Sequence, residues 1–448
     1  MDNTLAYLDQ VFFLSQEALG HGPIVQMTWI YDRDVDSEGL RRFKENLARG
    51  HLGRRVEPSP LPFGRHRWIA WPGPAGVEVA PTPRPRSTIP AWLDEQAAVP
   101  VDPELRPWRL AVQPVTEGGA AVTLVLSHNI ADGVGLLKAV ADAVKGVTSD
   151  PGFPAAATRT TAEALLEDSR EVARALPDMA RAVASLSGAA RDLSNWGSNS
   201  PSAGRSARRR ARRAELRRPV HLHSVTAHID ERLWDERAEA LGGTTTSLLL
   251  GIGARLGEAL GWADDDGSVT LVMPVSERTG DDDNRGNALT GVRLSVHPKS
   301  VTSDLTEVRS GVKRALAALG DEPIAIGGPL PLTPLIPRFV ARQVEVKSLR
   351  NPIISCSNLG TLDPAVNRPD GTDAEWFAIR GLWNRLNCRG KPVQRAGGIL
   401  FPLTIGRVNG SVFFCACYAN TDPDFAPGGL RGVVERILAD FGLTGAVE

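Results

Sequence analysis

Of the eight histidines in the chain, His128 is the one set in a strand-turn-helix pattern. It follows the run Val122 to Ser127, and three residues later come Asp132 and Gly133. Imidazole changes charge near neutrality, so a histidine held at the mouth of a rigid strand and open to a cleft is a candidate general base. Taken alone, a histidine after a strand is more often a satisfied polar residue than a catalyst. The neighbouring pattern has to decide between the two.

The elements that would position it are legible nearby. Val122, Leu124 and Leu126 alternate with Thr123, Val125 and Ser127, a short β-branched run that suits a buried strand. Val134, Leu136, Leu137 and Val140 then recur at helical spacing. Upstream, Leu5 to Leu14 reads as a short helix, Pro23 to Tyr31 as a strand and Leu40 to Leu47 as an amphipathic helix. Leu61 to Arg86, with six prolines, reads as strand and loop. Trp108 to Val115 is a strand that turns through Glu117, Gly118 and Gly119 into the His128 strand. Thr160 to Leu193 is a long helix with a kink expected at Pro177. Ser224 to Ile229, Ser268 to Val275 and Asn284 to Val296 read as strands or strand-bearing segments, and Glu231 to Leu241 and Thr245 to Leu260 as helices. Ile399 to Tyr418 gives two strands joined at Asn409 and Gly410, and Leu430 to Leu443 a closing helix. The class is α/β.

Composition sets the outer limits. A chain of 448 residues with 42% hydrophobic content suggests two domains with cores of their own. With 51 basic and 52 acidic residues, the overall balance points to neither nucleic acid nor an acidic substrate. Cys356, Cys388, Cys415 and Cys417 have neither metal-type spacing nor the density of a disulfide scaffold, so reduced thiols and a cytoplasmic location are expected, with no metal. Met1 to Gln16 lacks the basic start of a secretory signal, and no apolar run reaches about eighteen residues. Ser194 to Pro219 breaks the pattern: Gly, Ser and Pro, then Arg205, Arg208, Arg209, Arg210, Arg212, Arg213, Arg217 and Arg218. Such a run is a solvated linker first, and otherwise a landing site for polyanions such as coenzyme A phosphates, an acidic carrier protein or an anionic membrane surface met peripherally.

The six residues His128 to Gly133, His-x-x-x-Asp-Gly, resemble the active-site motif of the CoA-dependent acyltransferase superfamily. That superfamily takes in nonribosomal peptide condensation domains, polyketide-associated acyltransferases, alcohol acyltransferases and the bacterial wax ester synthase/diacylglycerol acyltransferases. Many members read His-His-x-x-x-Asp-Gly, with the second histidine catalytic; here Ser127 holds the first place and His128 the second. Leu5 to Leu14, Gly243 to Leu260, Met273 to Arg278 (MPVSER), the Gly286-Asn287 entry to a strand and Ile353 to Gly360 (IISCSNLG) resemble further segments in the order the superfamily has them.

The resemblance implies two chloramphenicol acetyltransferase-like domains forming a V-shaped pseudo-dimer, with His128 midway along a channel between them. They would be residues 1–193, carrying the motif, and 220–448, joined by the arginine-rich linker 194–219. It implies that His128 takes the acceptor proton, or at least orients the nucleophile, with no acyl-enzyme intermediate. Asp132 would pair with Arg278 to lock the turn, Gly133 would admit close approach, and Asn358, beside Ser357, would hydrogen-bond the acceptor or the tetrahedral oxygen. No G-x-S-x-G elbow supports a serine nucleophile, and alternation along the strand points Ser127 to the face opposite His128. The expected protein is a free-standing monomer with no permanently bound cofactor. Its donor would be an acyl-CoA or an acyl- or peptidyl-carrier-protein thioester, its acceptor a small alcohol or amine, and no nucleic acid is involved. Two alternatives stand beside it: a neutral-lipid synthase making wax esters or triacylglycerols, and a catalytically silent module that recruits carrier proteins.

Overall fold

The structure is a computed structural model that describes residues 3–20, 22–148, 151–195, 221–280, 283–319, 330–348, 353–383, 399–420 and 428–447. The arginine run and Cys388 lie outside the described residues.

In the first part of the chain come α1 (Tyr7–Leu19), β1 (Pro23–Tyr31), α2 (Ser37–Arg49), β2 (Arg54–Glu57), β3 (Arg67–Ala70) and β4 (Glu78–Val79). They are followed by α3 (Ile89–Ala98), β5 (Trp108–Pro114), β6 (Ala120–Ser127), α4 (Gly133–Lys145) and α5 (Thr161–Asn195), which runs on through Pro177. In the second part come β7 (His221–Asp230), α6 (Glu231–Ala240), α7 (Thr245–Ala259), β8 (Val269–Ser276), β9 (Leu289–Val296), α8 (Thr306–Leu319) and α9 (Arg338–Ser348). β10 (Ile354–Thr361), β11 (Trp376–Trp383), β12 (Ile399–Leu400), β13 (Leu403–Val408), β14 (Ser411–Asn420), α10 (Gly429–Asp440) and β15 (Gly445–Val447) complete it.

Two large sheets carry the molecule. The first runs β11-β1-β6-β5-β4 and the second β15-β7-β14-β13-β10-β8-β9, with β12 beside β14. β6, the strand leading to His128, is antiparallel to both β1 and β5 and is buried along its whole length. That burial explains its apolar run: a central strand covered on both faces gains from every side chain it removes from water. The β13 to β14 hairpin turns at Asn409 (φ 50°) and Gly410 (φ 76°), the left-handed pair that a two-residue hairpin needs.

A boundary near residue 220 does not separate two independent sheets. β11 lies far beyond it, yet pairs with β1 from Pro23↔Trp383 to Ile30↔Trp376 and so completes the first sheet. The exposed edge of β1 would otherwise present a row of unpaired amides and carbonyls. The cores also meet across the join. On β14, Val412, Phe414, Ala416 and Tyr418 pack into the second core, whereas Phe413 and Cys415 pack into the first. Cys356, Cys415 and Cys417 are free thiols buried among these side chains. Among the described residues, no helix is long and apolar enough to cross a membrane.

Candidate active site

Asp132 caps α4. Its side chain accepts from the Gly135 amide at 2.7 Å, and the Leu136 amide closes the first turn on its carbonyl at 2.8 Å. The second half then supplies its remaining partners. Arg278, just past β8, donates to Asp132 through Nη2 at 2.9 Å and Nε at 3.3 Å, and the Ala288 amide donates at 2.9 Å. The same guanidinium donates to the carbonyls of Asp283, Arg285 and Gly286 at 3.0 to 3.3 Å. Asp132 and Arg278 are therefore brought together, and both are spent on holding the motif turn against the loop between β8 and β9.

Glycines let these parts approach. A Cβ at Gly135 would stand 2.5 Å from Nη2 of Arg278, and one at Gly286 would stand 2.6 Å from the Asn129 carbonyl and 2.8 Å from Asp9. At Gly133 it would stand 3.0 Å from Leu359, the residue after Asn358, so the absent side chain admits the end of β10. Gly135→Ala should therefore push Arg278 off its seat and cost about 2 kcal/mol, in the range for overpacking. A chemical denaturation curve matching that of the unchanged protein would show that the guanidinium shifts freely.

His128 is half-buried at the end of β6, with its ring stacked on Phe12 of α1 at 5.3 Å between centroids and 4° between planes. Its Nδ1 lies 2.9 Å from Oδ1 of Asn287. The orientation of that amide is fixed by its other end. Asn287 Nδ2 faces the Asp9 carboxylate at 3.0 Å, the His128 carbonyl at 3.0 Å and the Asn129 carbonyl at 3.5 Å, all of them acceptors. Oδ1 must then face the ring, and since it can only accept, Nδ1 must carry the proton. Nε2 is left as the basic nitrogen. That is the tautomer a general base acting through Nε2 requires.

Asp9 is fully buried on α1, three residues before Phe12. It accepts from the amides of Gly286 at 2.9 Å and Asn287 at 2.6 Å as well as from the Asn287 side chain. Burial raises its pKa to about 6, against the lowering effects of the Arg54 charge and these hydrogen bonds. Arg54 is itself buried over the Trp68 ring, 4.3 Å from its centroid, and donates to the carbonyls of Ile130, at 2.6 Å, and Asn284. Burial lowers its pKa to about 10.

Asn287, Asp9 and Arg54 receive no role from their sequence context. Their partners stand 159, 278 and 230 residues away, and no local period signals contacts of that range. The Gly-Asn entry to β9 and the Asp of the opening helix are visible in the sequence only as resemblances.

The remaining sequence candidates sit differently. Ser127 is buried, and its Oγ accepts from the amide and the side chain of Asn129 at 3.4 and 3.0 Å. Asn358 is exposed. Its Nδ2 donates to Thr246 at 3.0 Å and its Oδ1 accepts from the Gly360 amide at 2.9 Å, so its amide ties β10 to α7. Ser357 lies half-buried in β10 opposite Thr404 of β13. Among the described residues no hydrogen bond joins Asn358 to His128. Two hollows between the sheets, around Trp376, Phe377 and His228, border the Ile30 end of β1. His128 adjoins the other end, roughly 20 Å away at about 3.3 Å per residue, so neither hollow houses the motif.

No protein-family model matches the chain, and no curated protein matches it. Solved structures do. The first condensation domain of the calcium-dependent antibiotic synthetase, in complex with a substrate analogue, aligns over 98% of this chain and 96% of its own, with a TM-score of 0.55 at 17% identity. A nonribosomal peptide synthetase aligns over 98% of this chain and 42% of its own, with a TM-score of 0.53 at 18% identity. Polyketide synthase associated protein 5 from Mycobacterium tuberculosis aligns over 98% and 96%, with a TM-score of 0.51 at 15% identity. The chain thus has the fold of these condensation domains.

Proposed function

We propose that this chain transfers an acyl group from a thioester to a hydroxyl or amine, with His128 as general base. The observation that carries this reading is the Asn287 amide, whose orientation puts the ring proton on Nδ1 and leaves Nε2 free to accept another. Nε2 would take the proton of the acceptor as its oxygen or nitrogen attacks the thioester carbonyl. The tetrahedral intermediate then collapses, the C–S bond breaks, and the imidazolium returns the proton to the departing thiolate. Asp132 and Arg278 stay out of this exchange, because both are committed to holding the turn.

The donor is a coenzyme A or carrier-protein thioester, and the likeness to condensation domains and to a polyketide synthase associated protein supports either carrier. The acceptor is a small alcohol or amine, and the protein acts as a cytoplasmic enzyme. A neutral-lipid product is the second reading. It is favoured by one observation: of the two segments most like the wax ester synthases, the MPVSER strand reaches the motif directly, through Arg278 on Asp132, and the opening helix reaches it by way of Asn287, which joins Asp9 to His128.

The test is a mass-spectrometric screen of acyl-CoAs and carrier-bound thioesters against pooled amines, short alcohols, fatty alcohols and diacylglycerol. Amide or short-ester products support the first reading, and wax esters or triacylglycerols the second. Thioester carrier binding without any product would identify a silent recruiting module.

A further inference from the structure

We propose that Asp9 is a positioning residue for His128, acting through Asn287, so that the opening helix as well as the motif sets which ring nitrogen is basic. The chain of contacts is short and directional. The Asp9 Oδ1 atom accepts from both the backbone amide and the side-chain Nδ2 of Asn287, at 2.6 and 3.0 Å, and Oδ2 accepts from the Gly286 amide at 2.9 Å. A carboxylate can only accept, so it forbids the Asn287 amide from turning over.

If the amide turned over, its NH2 would face the ring and donate to Nδ1. The ring proton would move to Nε2, and the nitrogen meant to receive the acceptor proton would carry one already. Orientation of this amide and competence of the base are therefore one event. Helix α1 contributes twice, since Phe12, three residues after Asp9, lies flat on the His128 ring and fixes its plane. Three N–H donors converge on the two Asp9 oxygens, which suits a carboxylate, and the Arg54 charge lowers a pKa that burial raises to about 6. No contact of Asp9 with His128 itself is needed.

The kinetic part of this inference rests on the general-base reading; the tautomer part does not, and the two are measured separately. The full-length protein is labelled with 15N-histidine, and His128 is assigned by comparison with His128→Gln. The neutral ring is expected to show the protonated-Nδ1 pattern, the tautomer that free histidine disfavours in water. In Asp9→Asn the introduced amide can present its NH2 to Asn287, and the His128 signals are expected to move toward the protonated-Nε2 pattern. With an active substrate pair, kcat should fall by about two to three decades, the size of effect a wrong tautomer has on a histidine base, with KM within about threefold.

A staple holding the Gly286-Asn287 loop and nothing more would lower the melting temperature but leave the ring pattern and the kcat of the folded fraction unchanged. That result overturns the proposal. So does a protonated-Nε2 pattern in the unchanged protein, or a fall in kcat without a tautomer change. If Asp9→Asn does not fold because Arg54 is left as an unpaired buried charge, Asp9→Asn/Arg54→Gln removes both charges and the same ring pattern is read. If no substrate pair is found but the tautomer moves as expected, the function assigned above fails and the positioning role stands.

Discussion

His128→Ala is expected to lower kcat by about two to four decades, the range general-base catalysis contributes. The ring is half-buried and stacked on one aromatic neighbour, and its backbone amide, which donates to the Pro23 carbonyl at 2.9 Å, is untouched by the substitution. The fold should therefore survive with a loss of at most about 2 kcal/mol. The more discriminating variant is Asn287→Ala. It leaves the imidazole in place but removes the acceptor that holds the proton on Nδ1, and it should lower kcat by about two decades while substrate binding changes little. Steady-state kinetics on the two variants, with circular dichroism to confirm folding, test the assignment. A folded His128→Ala protein that turns over at the unchanged rate removes the base from the mechanism.

How far these residues can be read from sequence depends on their separation along the chain. The motif is legible because its parts are consecutive: β6, the turn and α4 follow one another, and each has the period of its element. Arg278 is placed opposite Asp132 only through resemblance, since nothing local links positions 146 apart. Asn287 and Asp9 lie within recognised segments, but their roles come from contacts between the opening helix, the end of β6 and the entry to β9. Those three meet only when the two halves close.

The elements that sequence does not announce have physical reasons of the same sort. α3 is ten residues long, carries Pro90 in its first turn and buries only Ile89, Trp92 and Ala97, too little to stand out as a helical stripe. In β11, Phe377 and Ile379 are buried between half-buried neighbours, but the alternation slips at Arg380, which is buried too, and resumes at Leu382. Its sequence, however, gives no sign of which sheet it joins, and it joins the one belonging to the start of the chain. At position 127, the first place of the motif that the segment resembles, Ser127 is occupied with Asn129, a local polar contact of the kind a small hydroxyl makes and an imidazole would have to displace.

Asp132→Ala should cost about 3 to 5 kcal/mol of stability, the cost of breaking a buried ion pair from one side. The carboxylate gathers four donors from three places: the Gly135 amide of α4, the Ala288 amide at the start of β9, and Nη2 and Nε of Arg278. Loss of the cap contributes about 1 kcal/mol of that total. The larger share comes from Arg278, whose side chain is 14% exposed and would be left facing the empty cavity. Arg278→Met removes the charge instead of stranding it, although the Asp132 carboxylate then keeps only its two amide donors. The Asp132→Ala/Arg278→Met double variant should be more stable than the sum of the single losses predicts, by about 1 to 3 kcal/mol, in a double-mutant cycle read by urea denaturation. Strict additivity would mean that the pair does not interact across the join. The same cycle bears on catalysis, because Asp132 holds the loop on both sides of Asn287: its own amide donates to the Gly286 carbonyl at 2.8 Å, and its carboxylate receives the Ala288 amide. A variant that frees this loop should lose the fixed Asn287 amide along with stability, so Asp132→Ala should reduce kcat even though its carboxylate never meets the reacting atoms.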